Sequence, residues 1–233
     1  MTSIAELDAR FYPNYVDEHA RFDRAVRRYL RDDHLVLDAG AGTGRAFTHD
    51  YKDRARLVVG IDRDPGIGEN ALLDQAVRGD LSRLPFPDST FHLVLAKYLF
   101  EHLDQPLAAL MEMRRVLRPG GHLVFHTPNR FHYVPIAASL TPHRFHIWFN
   151  RRRGAPDHPF ETYYRANDRR SLSRVARAAG FHPLELELFE PKPAYLYFHP
   201  LAYRAGIAYE RLVMKVEQLK GLRANLVGVL QAV

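Results

Sequence analysis

The sequence predicts an α/β fold in which a mostly parallel sheet carries helices on both faces. Three observations point there. Five short apolar runs recur through the first 128 residues, several closing on a glycine or an acidic residue. Stretches of helical periodicity fall between them and after them. Neither an internal repeat nor a Ser/Gly linker interrupts this alternation, and 233 residues suffice for one large core.

Taken in order, Tyr12 to Leu30 places Val16, Ala20, Val26 and Leu30 at near-helical spacing, which predicts a leading helix after Pro13. His34–Gly40 (HLVLDAG) is an apolar run stopping at glycine, the pattern of a strand buried on both faces. Ala55–Asp62, Ala76–Asp80, Phe91–Lys97 and Gly121–Pro128 read as four more strands. Pro106 to Leu117 is helical and is stopped by Pro119-Gly120-Gly121. Ser171–Ala179 is a helix ended by Gly180, and His182–Glu190 alternates with period two as a half-exposed strand. A longer helix over Leu201–Leu219 carries the stripe Ala205, Ala208, Leu212, Val216 and Leu219, expected to bury against the sheet rather than serve a dimer. Ala224–Val233 is β-rich and suits a last strand.

Composition narrows the chemistry. The chain has no cysteine, which excludes disulfides, thiolate metal sites and a thiol nucleophile. No apolar run approaches the ~20 residues of a membrane span, and the N-terminus lacks a basic-then-apolar leader pattern, so a cytoplasmic protein is expected. The net charge is +6, and the stretch from Arg130 to Arg170 holds eight arginines against Asp157, Glu161 and Asp168. Nearly the whole excess is therefore local, a patch rather than a diffuse balance.

In such sheets ligands sit beyond the carboxyl ends of the strands. The first strand ends in Asp38-Ala39-Gly40-Ala41-Gly42-Thr43-Gly44. Alternate glycines allow a tight turn and bring bare backbone close to a ligand. The spacing is GxGxG rather than the GxGxxG of dinucleotide sites, and the preceding Asp38 would repel a phosphate and suit a cation. The second strand ends at Asp62, whose carboxylate can accept from both hydroxyls of a ribose. The third ends at Asp80-Leu81, where a carboxylate and a neighbouring N–H can read an adenine edge. The ligand implied is an adenosine with a cationic, non-phosphate tail. Each acid alone reads more readily as a turn, cap or loop residue; the ordered set reverses that reading.

Here the chain resembles the class I S-adenosylmethionine-dependent methyltransferases, near the small-molecule branch that includes quinone-biosynthesis enzymes. The resemblance is carried by Val36–Gly44 (VLDAGAGTG), Val58–Asp64 (VVGIDRD), Gly79–Pro106 and Arg114–Asn129, in order and at family spacing. It implies a single Rossmann-like methyltransferase domain over 1–233 with a seven-stranded sheet. The sixth and seventh strands would be His182–Glu190 and Ala224–Val233, the last antiparallel. Residues 1–33 would form an N-terminal helical cap, 130–168 a substrate lid after the fifth strand, and 191–223 a helical insertion before the last strand.

The resemblance further implies S-adenosyl-L-methionine as methyl donor. Gly40, Gly42 and Gly44 would lie along it, Asp38 would hold its ammonium, Asp62 its ribose, and Asp80 with Leu81 its adenine. Ala96–Tyr98, with Lys97 and Tyr98, would offer backbone carbonyls to the methionine end. Two departures stand out: Arg63 occupies a place usually apolar, where its guanidinium would stack on the adenine, and His92 replaces a common aspartate.

Methyl transfer from a sulfonium needs alignment and exclusion of water, and a base only where the acceptor keeps its proton at neutral pH. Candidates are His102, in Glu101-His102, and His126 late in the fifth strand; each also reads as a packing residue, as does Tyr98. No metal is expected. The 130–168 stretch supplies flat apolar rings and arginine forks, suited to a hydrophobic or lipid-like acceptor bearing acidic groups. Acceptor-side candidates are Tyr15, Arg130, Tyr133, His143, Arg144, Tyr163 and Tyr164. Three other readings of the insertion stay open: peripheral contact with an anionic membrane, single-stranded RNA, and a solvated arginine surface. Carbon-5 cytosine methylation is excluded by the missing cysteine, and Ala96-Lys97-Tyr98-Leu99 replaces the Asn/Asp-Pro-Pro-aromatic motif of exocyclic-amine enzymes. The expectation is thus a small-molecule or lipid-like acceptor, with nucleic acid disfavoured. An RNA or tRNA methyltransferase and a non-catalytic donor-binding partner protein are the alternatives. The oligomeric state is not read from the sequence.

Overall fold

The computed structural model describes residues 3–16, 18–44, 50–140 and 161–233. Seven strands form one sheet in the order β3-β2-β1-β4-β5-β7-β6. They are β1 Leu35–Ala39, β2 Leu57–Asp62, β3 Gln75–Arg78, β4 Phe91–Lys97, β5 Leu117–Pro128, β6 Phe181–Phe189 and β7 Asn225–Ala232. The β1–β2, β1–β4, β2–β3 and β4–β5 pairs are parallel. The N–H of Asn129 donates to Ala224 O and that of Val233 to Gly180 O. β7 therefore begins where β5 ends and ends where β6 begins, so the last strand runs antiparallel to both, as expected. The order reverses between β1 and β4, which opens a crevice at their carboxyl ends.

The central strands are apolar because both faces are covered. Val36, Leu37, Leu93, Val94, Leu123, Val124 and Phe125 are all fully buried. Helix α3, Pro106–Val116, packs Ala109, Leu110, Met113 and Val116 inward. Its cap residue Leu117 already belongs to β5, so that strand starts four residues before the expected Gly121. Helix α4 spans Tyr133–Leu140, and helix α5, Arg169–Ala178, is capped by Asp168, whose Oδ1 accepts from the N–H groups of Arg170 and Ser171.

By contact density the chain forms two compact units. One comprises the described residues of Arg21–Pro128, Phe160–Glu187 and Leu226–Val233. The other comprises those of Met1–Ala20, Asn129–Pro159 and Leu188–Asn225.

The expected leading helix after Pro13 is shorter than Tyr12–Leu30, and a further helix precedes it. α1 spans Ile4–Phe11 and α2 spans Glu18–Tyr29. Ser3 and Glu6 form a reciprocal capping box that starts α1 early, a signal overlooked in the sequence, and Pro13-Asn14 makes a turn. In the second unit Leu7 of α1 packs with Tyr203 and Ile207 of α6, Pro200–Lys215. The expected burial of the α6 stripe is also corrected. Ala205, Ala208 and Leu212 are exposed, and the helix buries Tyr203, Gly206, Ile207 and Val213 instead. The reason is close approach: a Cβ at Gly206 would lie 2.6 Å from Pro193 Cβ, so the glycine face is the one that docks.

Candidate functional site

The loop after β1 is held in a shape that needs its glycines. Gly40, Gly42 and Gly44 have φ of +75°, +50° and +73°. A Cβ at Gly40 would lie 2.8 Å from Leu99 Cδ1, and one at Gly44 only 2.3 Å from Asn70 Oδ1. The N–H of Gly40 donates to Ile61 O at 2.8 Å, tying the loop to β2. Asn70 completes the brace: its Nδ2 donates to Ala41 O at 3.0 Å and to Gly42 O at 3.2 Å, while its Oδ1 accepts from Leu72 N. Asn70 is buried and was missed in the sequence, since nothing in a lone asparagine announces a bond to a loop 28 residues earlier.

Asp62 also shapes this loop. Its Oδ2 accepts from Gly42 N at 2.8 Å and its Oδ1 from Asp64 N at 2.9 Å. Asp38 faces the same crevice. Burial pushes its carboxyl up to about 7, against the pull of Lys97, and nearby Asp62 adds to the rise. Lys97 is buried at the end of β4, its ammonium 5.5 Å from the Phe22 ring centroid.

At the end of β3, Asp80 is engaged on both oxygens. Oδ1 accepts from the N–H and hydroxyl of Ser82, each at 2.8 Å, and Oδ2 from Arg63 Nη2 at 2.6 Å. The Ser82 N–H above all, then its hydroxyl and Arg63, hold the Asp80 carboxyl below its ordinary value. Arg63 thus pairs with the acid expected to read an adenine. Leu81 beside it is buried.

Beyond β4, Tyr98 adopts φ +51° and its N–H donates to His126 O at 2.7 Å. The Tyr98 ring lies against the His126 ring with centroids 4.5 Å apart, and His126 is fully buried within β5. His102 is half-buried. Its Nδ1 lies 2.8 Å from Glu161 O, and a carbonyl only accepts, so this nitrogen carries the proton and Nε2 keeps a lone pair. Glu101 Oε1 is 3.9 Å from that Nε2.

Glu101 is buried, and burial pushes its carboxyl up to about 7. Its Oε2 accepts from the Thr127 hydroxyl at 3.0 Å, and that hydroxyl accepts from Asn167 Nδ2 at 2.6 Å. The backbone joins in: the Tyr163 N–H donates to Glu101 O at 2.7 Å, and Arg165 Nη1 donates to Asp104 O. This clasp brings Tyr163 and Tyr164 beside the His102 turn. The Tyr163 hydroxyl donates to Glu161 Oε2 at 2.8 Å. Thr127 and Asn167 are further site residues that sequence reasoning missed.

The other acceptor-side candidates lie in the second unit. Tyr15 stacks edge-on with Tyr12 and lies under the Lys192 ammonium, 4.9 Å away. The Arg130 guanidinium lies over Phe131. Tyr133 is half-buried against His132 and Tyr209, and burial raises its hydroxyl to about 12. His143 and Arg144 lie outside the described residues.

Residues 37–125 match the family described as methyltransferase domain. Over these residues the chain is similar to methyltransferase domains. Among similar proteins, one from Encephalitozoon cuniculi named as a methyltransferase is 34% identical to this chain over 144 residues, 54% of this chain and 66% of that one. Demethylmenaquinone methyltransferase of Chlamydia trachomatis serovar L2 is 33% identical over 114 residues, 45% of this chain and 49% of that protein. The chain spans two thirds or less of the length of these curated relatives. A solved S-adenosylmethionine-dependent methyltransferase of Methanosarcina mazei shares the fold, with TM-score 0.58 at 15% identity over 90% of this chain and 97% of that one.

The residues fit the family's donor. A Cβ at Gly40 or Gly44 would collide with Leu99 or Asn70, and the positive φ at Gly40, Gly42 and Gly44 disfavours side chains, so bare backbone is kept at these three positions. The acids at its edge, Asp38 and Asp62, suit a sulfonium amino acid and oppose a pyrophosphate.

Proposed function

We propose that the protein is an enzyme that moves the methyl group of S-adenosyl-L-methionine to a small-molecule acceptor. The observation that carries this reading is the convergence of the braced glycine loop with Asp38, Asp62 and Asp80 at the carboxyl ends of adjacent parallel strands. In this reading Asp38 takes the donor's ammonium, Asp62 its ribose hydroxyls, and Asp80 with the Leu81 N–H its adenine, flanked by Arg63. The backbone of Gly40, Gly42 and Gly44 lies along the donor, and the carbonyls of Ala96 to Tyr98, Lys97 included, line its methionine end. The donor supplies a methyl group already activated by positive sulfur. The chain's own work is to align the acceptor and exclude water.

His102 is the proposed base or acceptor-orienting group. The Glu161 carbonyl accepts from Nδ1–H, which leaves Nε2 as the ring nitrogen for an acceptor's proton. His126, enclosed in β5 behind Tyr98, suits support of that turn better than contact with an acceptor. Tyr163 and Tyr164, held beside His102, are the acceptor-side candidates within the unit of the donor crevice, and Tyr15, Arg130, Tyr133, His143 and Arg144 stay candidates on their residue chemistry. The insertion's arginines and rings suit an apolar acceptor with acidic groups, and peripheral contact with an anionic membrane.

Titration calorimetry with S-adenosylhomocysteine tests the reading, followed by an acceptor screen for a 14-dalton mass gain (one CH₂). Micromolar binding with release of S-adenosylhomocysteine in the presence of an acceptor is expected. Tight binding of nicotinamide coenzymes with no heat from S-adenosylhomocysteine would overturn it.

A further inference from the structure

The amino-acid end of the proposed donor is a zwitterion, and Asp38 answers only its ammonium. Its carboxylate needs a cation or a set of N–H donors at the same place. Strand register shows where one stands. Asp38 of β1 pairs with Leu95 of β4, and Lys97 lies two residues further along the same strand. Side chains of register partners in a parallel pair share a face, as do residues two apart. Asp38 and Lys97 therefore project on one face of the sheet, at its carboxyl edge. Asp62 joins them by the same rule, since Asp38 pairs with Gly60.

The side-chain environment agrees with the register. Lys97 is 6% exposed, deep burial for an ammonium. Its ammonium lies over the Phe22 ring, 5.5 Å from the centroid, a cation–π contact that stabilises charge without neutralising it. The field of Lys97 reaches Asp38 and draws that carboxyl back toward ionisation. The buried Lys97 ammonium and the Asp38 carboxyl thus stand on one face at the carboxyl edge of the sheet, where they can answer the carboxylate and the ammonium of an α-amino acid.

We infer that Lys97 receives the α-carboxylate of the donor, so that Asp38 and Lys97 together read the amino-acid zwitterion. This rests on the donor reading above and adds a side chain to a stretch otherwise assigned only backbone carbonyls. It makes the site selective for nucleosides that carry an amino-acid tail over those that lack one.

Calorimetry with two probes separates the inference from the reading beneath it. S-adenosylhomocysteine carries the tail; 5′-methylthioadenosine keeps the adenosine and thioether and lacks the tail. In the unaltered protein S-adenosylhomocysteine should bind more tightly. Lys97→Met should weaken S-adenosylhomocysteine on the order of tenfold to a hundredfold, the size of a charge-assisted hydrogen bond, and leave methylthioadenosine within about twofold. Lys97→Arg should recover most of the loss. Equal weakening of both probes by Lys97→Met, or no weakening of either, overturns the role of Lys97 while the donor reading stands. Failure of the unaltered protein to bind either probe overturns the donor reading and this inference with it. Should Lys97→Met not fold, the Lys97→Gln and Lys97→Arg proteins give the same comparison.

Discussion

Arg63 Nη2 donates to Asp80 Oδ2 at 2.6 Å, so the guanidinium expected to stack on an adenine instead orients the acid expected to read it. Both side chains are largely exposed, 75% and 45%, and an exposed pair adds little to stability. Its effect should fall on binding. Arg63→Ala should leave the melting temperature within about 2 °C and weaken S-adenosylhomocysteine roughly threefold to tenfold. Thermal melts beside calorimetry check this, and a large loss of stability would contradict it.

The glycine loop leaves no such latitude. Gly44→Ala would place a methyl 2.3 Å from Asn70 Oδ1 at φ +73° and displace the side chain that holds Ala41 O and Gly42 O. A cost of about 2–3 kcal/mol is expected from the strained backbone and the broken brace, with donor binding lost. Asn70→Ala should reproduce the loss of binding without the backbone strain, because it leaves both carbonyls short of a donor. Urea unfolding and calorimetry on the two variants separate strain from brace.

His102→Ala should leave the affinity for S-adenosylhomocysteine within about twofold, because His102 hydrogen-bonds Glu161 O rather than the glycine loop. Transfer to an acceptor that arrives protonated should fall by a factor of roughly 10² to 10⁴, and transfer to one already ionised should persist. Single-turnover rates with acceptors on either side of neutral pKa measure the difference. Unchanged turnover with a protonated acceptor retires His102 as the base.

These sites divide by how far their signal spreads along the chain. The glycine loop and Asp62 were legible because a strand end, a turn and an acid lie within one local run each, and β4 was read at its observed bounds, Phe91–Lys97. Asn70, Thr127 and Asn167 were not legible. Each acts through a partner 26 to 40 residues away, and no local pattern encodes such a pairing. The α6 stripe misled because alanine spacing marks a helix face without saying which face docks; Gly206 against Pro193 decides that.

Glu101 links the site to stability. Its carboxyl titrates at 4.5 ordinarily and is pushed up to about 7 in the fold by burial, so the folded chain holds a proton that the unfolded chain has released. The stabilisation this gives is fully present below pH 4.5 and is lost as pH rises through about 7. Asp38, raised from 3.8 to about 7, acts in the same direction. Unfolding free energy should therefore fall between pH 5 and 8. Glu101→Gln keeps an oxygen for the Thr127 hydroxyl and cannot ionise. It should flatten that fall by about 2 kcal/mol, leaving the part due to Asp38. Thr127→Val removes a hydrogen bond to the ionised form and should steepen it. Urea melts of the three proteins at pH 5, 6.5 and 8 give the comparison, and parallel curves for Glu101→Gln and the unaltered chain would show that Glu101 stays ionised throughout.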